Sequence, residues 1–80
     1  MMKTILRVPK LAVSMQTGVL ASWLVADGKQ VAQGQALYTL EIEKSVMDVE
    51  APVAGVLKRI GVENETYKVG DILGEIDSSG

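Results

Sequence analysis

Apolar residues occur in short runs along the whole chain, and glycine or proline separates one run from the next. The runs are rich in β-branched residues, which is typical of many brief strands joined by turns. Val19–Ala26 is the one segment that could also form a helix, because its apolar residues are nearly continuous and periodicity alone cannot decide. The pattern therefore predicts a fold built mainly from strands.

An internal repeat decides the ambiguous segment. Residues 18–27 match residues 55–64 at an offset of 37 positions, and residues 31–37 match residues 67–73 at an offset of 36. We therefore place the one missing residue between the two blocks. The second copy contains Ile60-Gly61-Val62, which disfavours a helix, so both copies are predicted as strand, turn and strand. The aligned pairs are Gly18 with Gly55, Leu20 with Leu57, Trp23 with Ile60, Val25 with Val62, Asp27 with Asn64, Val31 with Tyr67, Gly34 with Gly70 and Leu37 with Leu73.

The two halves of the repeat are each too small to bury an apolar face alone, so they are expected to face each other. An approximate two-fold axis between them gives an all-β flattened barrel or sandwich. Trp23 is predicted to lie in the core with its indole N–H donating to a backbone carbonyl. Glu65 stands where the first copy has Gly28, so the second turn is expected to differ from the first. Residues 1–77 are assigned to this single domain, and residues 78–80 to the start of a linker or tail.

The segment Leu37–Ala51 predicts a hairpin with a definite register. With Glu43 and Lys44 as the two central residues of a tight turn, apolar residues of both arms share one face and acidic residues share the other. Because Glu-Lys is not a pair that primed two-residue turns favour, a type I turn is expected, with Lys44 at the tip. The apolar face holds Tyr38, Leu40, Ile42, Met47 and Val49, and the other holds Thr39, Glu41, Asp48 and Glu50, with Leu37 and Val46 as exceptions.

The composition excludes several kinds of chemistry. The chain has no Cys and no His, which rules out disulfides, Cys/His zinc sites, thiol nucleophiles and imidazole bases. The formal net charge is −2 and there is no basic cluster, which argues against a nucleic-acid partner. No apolar run reaches membrane-spanning length, and residues 1–11 lack the apolar core of a signal peptide. We therefore expect a cytoplasmic, monomeric domain without a membrane partner.

Lys44 at a hairpin tip suits one kind of chemistry better than another. A catalytic lysine normally needs burial to lower the pKa of its amine, and a protruding tip provides none. The same exposure suits acylation by another enzyme, and it suits a long tethered group that moves between distant sites. The nearby acidic residues are interpreted as a solvated surface that a partner can recognise, rather than as an acid–base pair. These residues are Glu41, Glu43, Asp48 and Glu50.

A set of short motifs extends over nearly the whole chain. They are Val8-Pro9-Lys10-Leu11, Ser14-Met15, Gly18, Trp23-Leu24, Gly28, Val31, Gly34, Leu37, Glu41-Ile42-Glu43-Lys44-Ser45, Glu50-Ala51-Pro52-Val53-Ala54-Gly55-Val56-Leu57 and Gly70-Asp71-Ile72-Leu73. In these motifs the chain resembles the lipoyl domains of 2-oxo acid dehydrogenase acyltransferases, and in particular an amino-terminal lipoyl domain. The motifs occur in the family's order and spacing, which makes them specific as a set.

The resemblance implies a fold, a cofactor and partners. The fold is a barrel-sandwich hybrid of two four-stranded antiparallel sheets with quasi-two-fold symmetry. A lipoate ligase or lipoyl transferase joins lipoate to Lys44, with Glu41, Glu43 and Ser45 as turn and recognition residues. The domain is then a non-catalytic carrier of acyl groups and reducing equivalents in a 2-oxo acid or acetoin-type dehydrogenase complex. Its partners are a thiamine-dependent decarboxylase (E1), the acyltransferase core (E2) and dihydrolipoamide dehydrogenase (E3).

The chain also departs from the family's usual pattern, and two rival functions stay open. The family usually has Asp before the lysine and often Ala after it, where this chain has the acidic Glu43 and the small Ser45. Ala12 replaces a common Gly in the loop that the family places near the lysine, which bears on partner choice. A biotinyl carrier shares the fold but has a Met-Lys-Met tip, whereas Met47 here lies three residues after Lys44. An unmodified barrel-sandwich adaptor needs no lysine at the tip and is often split by a helical insertion.

Overall fold

The computed structural model of the chain describes residues 2–43 and 45–78. Within these residues every regular element is a strand, and no helix has the length and apolarity to cross a membrane. The strands form two four-stranded antiparallel sheets, which confirms the predicted fold class. Their bounds are β1 (Lys3–Arg7), β2 (Thr17–Trp23), β3 (Gln30–Val31), β4 (Ala36–Ile42), β5 (Ser45–Glu50), β6 (Gly55–Arg59), β7 (Thr66–Lys68) and β8 (Ile72–Asp77).

The segment predicted as a linker or tail is described only at its first residue. The N–H of Ser78 donates to the carbonyl of Met2 at 2.8 Å, which continues the pairing of β1 with β8 by one residue. Ser79 and Gly80 lie outside the described residues, as does Met1.

The order of the strands agrees with the predicted two-fold symmetry. One sheet is ordered β1-β8-β6-β3 and the other β5-β4-β2-β7, so each strand corresponds to the strand four places along the chain in the other sheet. The hydrogen bonds repeat in the same way. The N–H of Gly28 donates to the carbonyl of Leu57 at 2.8 Å, and the N–H of Asn64 donates to the carbonyl of Leu20 at 2.7 Å. Each sheet therefore contains two strands from each half, so neither half forms a complete sheet without the other.

The structure corrects the position of the residue that the second copy lacks. β2 contains a bulge between Leu20 and Ser22 where it pairs with β4, whereas β6 pairs with β8 without a bulge. The additional residue of the first copy is therefore Ala21, and the offset is 36 from that point onwards. The predicted alignments from Trp23 to Asp27 are each wrong by one residue, because a bulge adds a residue without changing the apolar character of its surroundings.

The corrected alignment shows that the two turns are built alike. Gly28 (φ 83°) now matches Asn64 (φ 71°), and both backbones lie in the left-handed region. Asn adopts this region more readily than most residues with a side chain, so it can replace Gly there. The expectation that Glu65 makes the second turn different is therefore wrong.

The residue before each of these two left-handed positions carries a carboxylate that binds a backbone N–H in the other half of the chain. Asp27 Oδ1 accepts the backbone N–H of Arg59 at 2.7 Å, and Glu63 Oε2 accepts the backbone N–H of Trp23 at 2.7 Å. Both hydrogen bonds satisfy a donor at the end of a strand. The two contacts occupy equivalent places in the corrected alignment, so the symmetry extends to side chains.

The core between the sheets is aliphatic apart from one aromatic pair. The rings of Trp23 and Tyr38 meet edge to face with centroids 5.2 Å apart, and the indole N–H donates to the carbonyl of Gly61 at 3.0 Å, as predicted. A second bulge, between Ala36 and Tyr38, accompanies burial of both Leu37 and Tyr38, which explains why Leu37 breaks the predicted alternation. The buried apolar residues are Leu6, Val8, Met15, Leu20, Trp23, Val31, Leu37, Tyr38, Leu40, Ile42, Ala51, Leu57, Leu73 and Ile76.

Burial of Tyr38 makes the stability of the fold sensitive to alkaline pH. Desolvation raises the pKa of its phenol from 10.0 to about 12. The folded state thus binds the phenol proton more tightly than the unfolded chain, so this stabilisation is complete below pH 10 and is lost as the pH rises towards 12. A shift of this size corresponds to about 2–3 kcal/mol. We expect the loss of unfolding free energy between pH 10 and 12 to be smaller by that amount in Tyr38→Phe, measured by urea denaturation. Parallel curves for the two proteins would contradict the expectation.

Candidate functional site

The hairpin of β4 and β5 has the register that the sequence predicts. Its last paired residues are Ile42 and Ser45, so a two-residue connection, Glu43-Lys44, joins the strands. Lys44, the predicted attachment residue, lies outside the described residues, whereas both of its neighbours are described. The cross-strand pairs are Tyr38 with Val49, Thr39 with Asp48, Leu40 with Met47, Glu41 with Val46 and Ile42 with Ser45.

The acidic residues of the hairpin point to solvent, as predicted. Glu41 pairs with Val46, the second predicted exception to the alternation, and Val46 is 62% exposed. The outer face of the hairpin is therefore an accessible surface that combines negative charge with one apolar residue. Glu41, Glu43, Asp48 and Glu50 are all exposed.

The turn itself is not of the predicted type. Glu43 has φ 46°, in the left-handed region, whereas a type I turn holds its first central residue near −60°. A positive φ at this position is characteristic of primed turns, whose twist matches that of the two strands they join. The prediction of a type I turn is wrong. It was based on the local conformational preferences of Glu and Lys and did not take the twist of the hairpin into account.

The left-handed backbone at Glu43 gives a substitution test with a defined sign. A β-branched side chain is strained in this region, whereas Gly is not, so Glu43→Val should be less stable than Glu43→Gly by about 1–2 kcal/mol. Glu41, an exposed residue within β4, provides the matched control. There Val should be more stable than Gly, because β-branched residues favour strands. Chemical denaturation of the four variants measures both differences, and the same order at positions 41 and 43 would contradict the assigned backbone.

The loop between β1 and β2 is where the two halves differ most. Pro9 and Pro52 hold corresponding places after β1 and β5. Three positions separate Pro52 from Gly55, whereas nine separate Pro9 from Gly18, the glycine that corresponds to Gly55. The first half therefore has six more residues in this loop, and the segment that contains them, residues 10–16, is called the inserted loop below. An insertion in one half alone breaks the two-fold symmetry on the side of the molecule where the loop lies.

The inserted loop lies against the β4–β5 hairpin. The hydroxyl of Ser14 donates to Glu43 Oε1 at 3.5 Å. Within the loop, the N–H of Met15 donates to the carbonyl of Ala12 at 3.1 Å, and the N–H of Leu11 donates to Met15 Sδ at 3.3 Å. The loop is therefore internally hydrogen-bonded and contacts the residue that precedes Lys44 in the sequence. The proximity of this loop to the turn, which the family resemblance implied, is confirmed at Glu43.

A pocket of about 160 Å³ lies between the inserted loop and the hairpin, and it is called the hairpin pocket below. The apolar side chains of Met15 and Ile42, which are only 5% and 8% exposed, form its floor. Glu43 and Ser45, the two neighbours of Lys44, line it from the hairpin, and Ala12 lines it from the loop. Sequence reasoning did not predict this pocket. The only signal for it was the length difference between the two halves.

Comparison with protein families gives one match. Residues 4–76 match the model of the biotin/lipoyl family, which is described as "Biotin-requiring enzyme". The match begins in β1 and ends in β8, so it includes β2 to β7, most of β1 and β8, and the hairpin that contains Lys44.

Several curated proteins are similar to the chain. One is the dihydrolipoyllysine-residue succinyltransferase component of the 2-oxoglutarate dehydrogenase complex of Bacillus subtilis, which is 38% identical over 72 residues, or 89% of this chain. Another is the dihydrolipoyllysine-residue acetyltransferase component of the acetoin cleaving system of Pseudomonas putida, which is 36% identical over 69 residues, or 85% of this chain. The chain spans 17% of the first relative and 19% of the second.

A solved structure agrees with the fold. The lipoyl domain of the 2-oxoglutarate dehydrogenase complex from Azotobacter vinelandii superimposes with a TM-score of 0.79 at 27% sequence identity. The superposition covers 95% of this chain and 98% of that domain, so the similarity extends across the whole barrel.

Proposed function

The chain belongs to the biotin/lipoyl family of attachment domains, and from this premise we propose that it is a lipoyl carrier with lipoate amide-linked to Lys44. The observation that carries the proposal is the β4–β5 hairpin, in which the only lysine of residues 36–50 falls in the two-residue connection between Ile42 and Ser45. A tight connection at the end of two paired strands gives a modifying enzyme a fixed frame around one amine.

The residues around Lys44 fit a covalently attached lipoyl group. An amide bond to lipoate needs a lysine amine and no metal or catalytic side chain on the domain itself. The exposed carboxylates of Glu41 and Glu43 provide a charged surface for recognition, and Ser45 provides a small neighbour. When bound, lipoate supplies a dithiolane that accepts an acyl group and electrons and passes both on. The chain's own part is to hold the attachment point and present it to partners.

Lipoate is favoured over biotin by the residues next to Lys44 and by the relatives. The tip is Glu43-Lys44-Ser45, without the Met-Lys-Met arrangement of biotinyl carriers. The relatives described above are named dihydrolipoyllysine-residue acyltransferase components, and the superimposed structure is a lipoyl domain. The unmodified adaptor is disfavoured because it gives no reason for a lysine in the connection.

The parent assembly follows from the same proposal. A lipoyl carrier is loaded by a lipoate ligase or lipoyl transferase and serves a thiamine-dependent decarboxylase, an acyltransferase core and dihydrolipoamide dehydrogenase. We place this chain in the cytoplasm as the non-catalytic lipoyl domain of such an acyltransferase. The relatives' names include 2-oxoglutarate, pyruvate and acetoin systems, so these define the substrates to test.

Acylation of the loaded domain tests the proposed function. Lipoylated protein is incubated with a 2-oxo acid and its thiamine-dependent decarboxylase, for pyruvate and 2-oxoglutarate in turn. It is also incubated with acetoin and the thiamine-dependent enzyme that cleaves the C–C bond of acetoin and releases acetaldehyde. We expect an acyl-sized mass increase with at least one of the three systems and none with the unlipoylated protein. Absence of acylation by all three, on protein whose lipoylation is verified by mass, would contradict a role as an acyl carrier.

A further inference from the structure

We propose that the hairpin pocket is a docking site for the lipoyl group of the same chain, so that the arm has a retracted state as well as an extended one. The inference rests on the proposed function, because it requires the group to be attached at Lys44. It concerns where the far end of the arm lies between encounters with partners, which attachment alone does not determine.

The position of the pocket is the first argument. Glu43 and Ser45 are among the described residues that line it, and consecutive Cα atoms along a chain lie about 3.8 Å apart. Any group attached to the residue between them starts next to the pocket. The effective concentration of a tethered ligand is high when its tether matches the distance to the site, so weak intrinsic affinity is sufficient for docking.

The size and chemistry of the pocket are the second argument. Its volume of about 160 Å³ is close to the roughly 150 Å³ of an apolar cavity that holds benzene. A dithiolane is a five-membered ring of similar size with no hydrogen-bond donor. The floor of Met15 and Ile42 offers apolar contact, and a methionine thioether is polarizable and adapts to irregular shapes. The pocket thus matches the oxidised ring better than it matches a charged or strongly polar ligand.

The asymmetry of the molecule is the third argument. The pocket depends on the inserted loop, which supplies Ala12 and Met15. Pro52–Gly55, the corresponding connection in the other half, is too short to provide such residues. The hydrogen bond from Ser14 to Glu43 also joins the loop to the hairpin beside the pocket. The insertion therefore supplies part of the apolar surface beside the proposed attachment residue, and the shorter connection of the other half has no equivalent loop.

Nuclear Overhauser effects in three forms of the protein test the proposal. The forms are the unmodified domain, the domain with acetyl-lysine at position 44 and the lipoylated domain, each purified to a single mass. We expect cross-peaks between the dithiolane ring protons and methyl groups of Ala12, Met15 or Ile42. We also expect shifts of these methyl signals that acetylation, which removes the same charge without the arm, does not reproduce. Ala54, in the corresponding connection of the other half, serves as the internal control and should not shift.

Two variants of the inserted loop make the test specific. Ala12→Leu fills the pocket and should remove the cross-peaks to Ile42 in lipoylated protein. Val13→Leu, at a neighbouring residue that is 95% exposed and does not line the pocket, should keep them. A verified lipoyl mass without cross-peaks to any of the three residues would overturn the docking site and leave the carrier function standing. Failure of the ligase to add a lipoyl mass would overturn both.

Discussion

Replacing Lys44 with arginine is expected to abolish lipoylation, and acyl transfer with it, while the domain folds as before. Amide formation needs the free electron pair of an amine, and the arginine guanidinium stays protonated and delocalised at any pH at which the protein is folded. Arginine keeps the positive charge and a similar aliphatic stem, so we expect the free energy of unfolding to change by no more than about 0.5 kcal/mol. Intact mass after treatment with lipoate ligase measures the first effect, and urea denaturation measures the second.

Lys58→Arg is the matched control for that experiment. Lys58 is an exposed lysine on β6, away from the hairpin, and its substitution should leave lipoylation unchanged. Retention of a lipoyl group by Lys44→Arg would show that another lysine is the attachment residue. Unfolding of the variant would show that Lys44 has a structural role that the proposed function does not include.

Moving the lysine by one position is expected to lower the rate of lipoylation strongly, even though a lysine is still present on the hairpin. The two residue swaps are Glu43→Lys with Lys44→Glu, and Lys44→Ser with Ser45→Lys. Position 43 has a left-handed backbone, and position 45 begins β5 opposite Ile42. Consecutive Cα atoms lie about 3.8 Å apart, so either swap moves the start of the lysine side chain by roughly that distance. Displacement of a reacting group by about 1 Å can cost about 10²-fold in rate, and a one-residue shift moves the amine farther than that. We expect ligase-catalysed lipoylation to fall at least about 10²-fold in both swaps.

The swaps contain their own control because the composition and net charge of the protein are unchanged. Thermal unfolding of each swapped protein shows whether the barrel is intact, and rates of lipoylation are compared only for folded proteins. Efficient lipoylation of the lysine at position 43 or 45 would refute the idea that the ligase recognises the place of the lysine on the turn. It would instead favour recognition of the surrounding acidic surface.

The sequence predicts the architecture well because two independent patterns constrain it. The repeat requires two similar halves, and the alternation on both arms of the hairpin admits only one register, in which Ile42 faces Ser45. A one-residue slip would expose Leu40 and bury Glu41, so the register follows from the hydrophobic pattern alone. A separate rule predicted that the Trp23 indole N–H donates to a backbone carbonyl, because a buried donor needs an acceptor.

The errors in the prediction arise where one residue changes the backbone without changing the pattern. Ala21 forms a bulge within an apolar run, so the pattern does not show which residue of the run is additional. Glu43 adopts a positive φ because the twist of the hairpin, a property of both strands together, outweighs the local preference of Glu. Local propensity could not have shown either feature.

The hairpin pocket lies beyond the sequence pattern for a further reason. Its residues come from the inserted loop and from the hairpin, which are far apart in the chain and are brought together by the folded barrel. The repeat gives the length of the insertion but not the direction in which it folds. Met15 appears in the sequence as one more apolar residue, and only the folded structure shows that it lines the hairpin pocket together with Ile42.

The most direct test of the central claim is the intact mass of the protein produced with lipoate, biotin and both ligases available, with Lys44→Ala produced in parallel. The proposed function predicts a single lipoyl-sized addition to the wild-type protein and none to the variant. A biotin-sized addition would contradict the lipoyl assignment and identify a carrier for carboxylation chemistry. An unmodified wild-type protein would contradict the carrier function altogether and leave a barrel that acts as an adaptor.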